Sequence, residues 1–150
     1  MNKIVDLLIS GVIVLGATAC SDVAKTSVHA PNSIDTNGEI PTQNILLNNQ
    51  SDATSAIRRA QANADIRARE QRYDRFGKGG KRADRDLQSE VRSKLEVNLP
   101  TAQLAVKAEK GVITVAGIVS TQKELNRIDT LAKEIRGVER VKVTAIVPAQ

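Results

Sequence analysis

Two pairs of carboxylates, Asp86 with Glu90 and Glu134 with Glu139, are close enough in sequence to divide acid–base work between them. Arg85, Arg92, Lys133 and Arg140 stand among them, so solvated ion-pair faces account for these groups better than catalysis does. Ser120 and Thr121 act as nucleophiles only beside a base, and Thr121 with Glu124 three positions on has instead the form of a helix capping box. His29, the one histidine, has no carboxylate or second histidine nearby, and no cluster has metal-ligand spacing. Gly77 to Gly80 is too short for a phosphate loop and lacks the following Ser or Thr. One cysteine rules out an internal disulfide framework. No catalytic residue, cofactor or metal is expected, and the chemistry that remains is charge.

That charge is uneven. The 150 residues carry 22 Lys or Arg and 17 Asp or Glu, a net +5. Residues 51–84 hold nine basic and five acidic side chains, against two and four in residues 1–50. An anionic partner would meet Arg67, Arg72, Arg75, Lys78, Lys81, Arg82 and Arg85. Aromatics make up only 1% of the chain, which leaves almost no stacking surface for bases. Gly77-Lys78-Gly79-Gly80 is superficially similar to the clamp of KH domains, but no strand precedes the first helix, so nucleic acid is not expected.

The compartment decides which anion is available. Lys3 opens a short polar start, Leu7 to Ala19 is an apolar run of 13 residues, and Ala17-Thr18-Ala19-Cys20 closes it with small side chains. The layout is that of a secretory signal, too short for the roughly 20 residues of a membrane-spanning helix. The end of the run resembles the lipobox of bacterial lipoproteins. The resemblance implies removal of residues 1–19 and acylation of Cys20, and Ser21 fits sorting to the outer membrane, with the chain facing the periplasm.

Residues 20–50 mix Ser, Thr, Asn, Asp and Gln with Pro31, Pro41 and Gly38, and read as a flexible tether. Residues 51–82 read as a basic, Ala-rich helix and a Gly-rich break. Ser51 is its expected N-cap, and Ala53, Ile57, Ala60 and Ala64 form a thin apolar stripe.

Residues 83–147 carry the strongest periodicity. Leu87, Val91 and Leu95 lie four apart on a helix from about residue 83 to 96. Gln103 to Glu109 and Gly111 to Val119 read as strands joined by a turn at Glu109-Lys110-Gly111. Leu125, Ile128, Ala132 and Ile135 face one side of a second helix, which Gly137 stops before a last strand from Val138 to Val147. The expected fold is α+β, an αββαβ unit with two helices on one face of a three-stranded mixed sheet. Gly111, Gly117 and Gly137 are its structural glycines.

Val106-x-Ala-x-x-Gly111-Val-Ile-Thr-Val-Ala-Gly117-Ile-Val-Ser120, followed by Gly137-Val138-x-x-Val141-x-Val143, resembles the BON domain (bacterial OsmY and nodulation). The resemblance implies a non-catalytic envelope module associated with anionic phospholipid, supporting envelope integrity or stress tolerance. An alternative from another class is a periplasmic adaptor that uses the sheet edge or the Arg/Ala-rich helix. Its partner would be an envelope protein or a second copy of the chain.

Overall fold

The computed structural model describes residues 22–77 and 82–149, so the expected leader, Cys20, Lys78 and Lys81 lie outside it. Four helices and four strands follow in the order β1 (Ala24–Lys25), α1 (Gln43–Thr54), α2 (Ala56–Phe76), α3 (Asp84–Asn98), β2 (Gln103–Glu109), β3 (Val112–Ile118), α4 (Gln122–Lys133) and β4 (Arg140–Val143). No helix among the described residues is long and apolar enough to cross a membrane.

The α3–β4 unit forms as its periodicity requires. β2 and β3 pair antiparallel from Gln103 opposite Ile118 to Glu109 opposite Val112. Lys110 and Gly111 make the two-residue turn with φ of 52° and 80°, the positive pair that matches the twist of a hairpin. β4 joins β3 in parallel, Val112 opposite Arg140, and such pairing needs a crossover, which α4 supplies. Thr121 caps α4 with the reciprocal bonds expected of it and Glu124. The β4 ladder ends at Val143, earlier than the alternation to Val147 suggests, and Ile146 returns to the sheet opposite Ile118.

Leu87, Val91 and Leu95 of α3, Leu104 and Val106 of β2, Ile113 and Val115 of β3 and Ile128 and Ala132 of α4 share one buried aliphatic core. α3 packs on β2, α4 on β4, and the two helices on each other. Gly117 stands inside β3 with φ of 129°. A Cβ there would lie 2.0 Å from the Gln103 carbonyl oxygen, so the close strand approach excludes any side chain.

The N-terminal half differs from its expectation. The sheet has four strands, because β1 pairs antiparallel on the outer edge of β2, Ala24 opposite Val106. Within the expected tether, β1 and the residues around Thr26 and Pro31 are therefore packed on the domain, whereas most of residues 32–50 is exposed. The Thr26 hydroxyl donates to Ala102 O at 3.1 Å and accepts from Leu104 N at 2.9 Å. Asn37 Oδ1 accepts from Gly117 N at 2.9 Å. The physical reason is that these polar side chains satisfy backbone groups of the sheet, a stabilisation that low hydrophobicity does not report.

The basic helix is two helices. α1 begins at Gln43, inside the expected tether, and breaks at Ser55. Thr54 Oγ1 donates back to Gln50 O at 2.6 Å, and Ser55, not Ser51, is the N-cap of α2, accepting from Arg58 N at 3.2 Å. Hydroxyls that bond local backbone in this way interrupt a helix. The expected apolar stripe also faces outward: Ala53 is buried, but Ile57 is 74% exposed and Ala60 and Ala64 are exposed. The face that α2 turns inward is its charged one.

Candidate functional site

The α2–α3 interface is built from ions. α3 turns Leu87, Val91 and Leu95 to the sheet and Asp86, Ser89, Ser93 and Glu96 to α2. Arg58 of α2 bridges to Glu96, which also accepts from Arg92 at 2.8 Å. Arg69 donates to Asp65 at 2.9 Å and to Asp86 at 2.6 Å. Asp65 in turn accepts from Ser89 at 3.0 Å and from Ser93 at 3.3 Å. Burial pushes the Asp65 carboxyl up, but the hydrogen bonds from Arg69 and Ser89 outweigh it and hold the group below its ordinary value. The hydrogen bond to Glu96 raises Arg58 further.

Arg82 sits where these elements meet, and the structure removes it from the expected set of surface cations. Its side chain is 1% exposed and makes a two-pronged pair with Glu90, itself fully buried, and it donates to Arg136 O at 2.8 Å. The Tyr73 ring lies between two guanidiniums, 5.1 Å from Arg82 and 5.1 Å from Arg136. Gly137 makes room for this: with φ of 99°, it would place a Cβ 2.7 Å from Arg82 Cδ. Burial pushes the Glu90 carboxyl above its ordinary value, and the Arg82 guanidinium offsets only part of that shift.

At one end of the domain the C-terminus of α2, the first turn of α3, the β2–β3 turn and the α4–β4 loop come together. Asp84 fastens them, accepting from Lys110 N at 2.7 Å and Gly111 N at 3.0 Å, while Gly111 O accepts from Glu139 N at 2.9 Å. Between them lies an open cleft of about 460 Å³, lined by Tyr73, Arg82, Asp84, Lys110, Gly137 and Glu139 among others. Lys110 on its wall, and Arg75 and Arg85 on the helix ends that meet here, are exposed and take part in none of the ion pairs among the described residues. Phe76, the only phenylalanine, is 81% exposed at the same end.

The expected cations thus separate. Arg75 and Arg85 share the end, whereas Arg67 is exposed at the groove between α2 and the α3–α4 pair, about 12 Å along the helix from Arg75. Arg72 is 58% exposed and 3.5 Å from Asp86, so it belongs in part to the α2–α3 interface. Phe76 and Lys110 were not singled out by charge clustering. The signal for Phe76 is its position, a lone aromatic between an arginine and a Gly-Lys run.

The carboxylate pairs have structural partners. Asp86 is held by Arg69 and Arg72, Glu90 by Arg82, and Glu134 bridges to Lys94. Glu124 accepts from Ser120 N at 2.9 Å and from Thr101 Oγ1 at 2.9 Å. No group of three or more His, Cys, Asp or Glu among the described residues could hold a metal. His29 is exposed.

No curated protein and no solved structure matches the chain significantly. A family model does match: that of the BON domain, over residues 83–148. That span takes in Asp84, the three structural glycines and the whole of the core built by α3, β2, β3, α4 and β4. The αββαβ unit of this chain is a BON domain.

Proposed function

We propose that the chain is a non-catalytic envelope lipoprotein whose BON domain docks on anionic phospholipid through its loop end. The observation that carries this reading is the exposed Phe76 at the C-terminus of α2, with Arg75, Arg85 and Lys110 exposed on elements of the same end and without an acidic partner among the described residues. An aromatic ring can enter the head-group region while cations meet phosphates beside it. Each Lys or Arg at such a surface contributes about 1 kcal/mol. Burying a phenylalanine adds about 1.5–3 kcal/mol. Acyl chains on Cys20 would keep the domain within reach of the membrane, so a weak head-group contact suffices.

Flotation of the full chain with vesicles tests the reading. Binding should rise with phosphatidylglycerol over phosphatidylcholine, fall with added salt, and weaken about thirtyfold in Arg75→Ala/Arg85→Ala, about 1 kcal/mol per cation. Binding indifferent to lipid charge and salt would overturn it. For the anchor, mass spectrometry of the mature protein should show an acylated N-terminal Cys20, and an unmodified chain starting at Met1 would contradict it.

A second reading, a protein-interaction module, is favoured by the outer face of α2, where Ile57 is 74% exposed between exposed small residues. Crosslinking in intact cells separates the two, since a single dominant protein adduct through residues 56–76 would favour the adaptor.

A further inference from the structure

α2 is docked by the face that an amphipathic helix normally gives to water. Of its 21 residues only Ala62 is buried. The polar contact with α3 is Arg58 on Glu96, Arg69 and Arg72 on Asp86, and Asp65 on Ser89 and Ser93. Its C-terminal turn is held in the same currency, by Asp74 on Arg136 and by Tyr73 between two guanidiniums. Arg58 and Arg72 are 38% and 58% exposed, so solvent and salt already compete for their partners. The ends of the helix lie at Ser55, whose backbone is extended, and at Gly77.

Guanidinium forks bind phosphate oxygens with the geometry they use for carboxylates. We infer that the inner face of α2 is a second phosphate-binding surface, masked by the carboxylates of α3 and uncovered when lipid phosphates compete for Arg58, Arg69 and Arg72. The inference rests on the docking proposed above, which brings α2 to an anionic surface. Once turned out, these three residues join Arg75 of the same helix, and Asp86 and Glu96 of α3 are left without their α2 partners. Little apolar surface opposes the exchange, because on the α2 side Ala62 is the one buried residue and Ile66, beside Val97 and Ile135, is only part-buried.

Nitroxide labels on the exposed positions Ala60→Cys of α2 and Lys123→Cys of α4, in the full chain with Cys20→Ser, report the separation. On phosphatidylglycerol vesicles the label distance should lengthen by about 10 Å, one helix diameter, and on phosphatidylcholine it should stay as in buffer. Asp86→Asn, which removes the partner of two arginines at a partly exposed site, should open at a lower phosphatidylglycerol fraction. Selective binding to phosphatidylglycerol with an unchanged distance, or an unshifted threshold in Asp86→Asn, overturns the latch and leaves the docking intact. Absence of any selectivity for phosphatidylglycerol, with the distance unchanged, overturns both.

Discussion

Replacing Arg82 by Met separates a structural cation from a lipid-facing one. Its guanidinium is 1% exposed and faces the fully buried Glu90, so the substitution strands a carboxylate in the interior. Removing one partner of a buried pair costs about 3–5 kcal/mol. Two features set the position in that range. Burial already holds the Glu90 carboxyl above its ordinary value, so it can take up a proton and limit the penalty. The loss of the Tyr73 contact adds about 0.5–1 kcal/mol in the other direction. A net loss of about 3–4 kcal/mol is a large part of the 5–15 kcal/mol typical of a domain. In urea, followed by circular dichroism, it should lower the midpoint by about 1–4 M. The double variant Arg82→Met/Glu90→Met, with no stranded charge, should recover most of that loss. A wild-type midpoint for Arg82→Met alone would refute the buried pairing and return Arg82 to the surface set.

Other consequences can be checked with the same denaturation assay or by hydrogen exchange. Ile128→Ala, at a fully buried position, should cost about 2–5 kcal/mol, and an unchanged melt would contradict its place in the core. Gly117→Ala should cost about 2 kcal/mol or more, because its Cβ meets the Gln103 carbonyl and its φ is positive; a wild-type midpoint would deny the close approach. Asp65 has a depressed pKa against a reference of 3.8. Its contribution is therefore complete above that reference and is lost as pH falls through the lower folded value. Amide protection of α2 should drop there before that of α3, and protection of both retained together to pH 2 would refute the ionic docking. Glu90, with its raised pKa, has the opposite sign, since acid relieves the burial of its charge.

The BON domain was legible in the sequence because its periods are apolar. Leu87, Val91 and Leu95 mark α3, the alternation through Leu104 and Val106 marks β2, and Thr121 with Glu124 marks the start of α4. β1 was not, because the segment around it is held by polar bonds: Thr26 on Leu104 and Ala102, and Asn37 on Gly117, link residues 76–80 apart in sequence. A hydropathy pattern carries no trace of such pairs. α2 was located but turned the wrong way, since its Ala and Ile positions imply a buried stripe while Arg58, Asp65 and Arg69 face α3. The clue lay in complementarity, with Asp86 and Glu96 of α3 spaced to meet those arginines. Arg82 looked like one cation in a run, and only the fold shows that Glu90, eight residues on, waits beneath it.

The chain contains no tryptophan, so Phe76→Trp introduces a single indole at the point proposed to enter the lipid. Its emission, recorded with the full chain on vesicles, measures the contact directly. On phosphatidylglycerol the account predicts a blue shift and quenching by lipids brominated near the head group, with neither change on phosphatidylcholine. Emission that stays water-like on phosphatidylglycerol vesicles to which the chain is bound would contradict docking through this end.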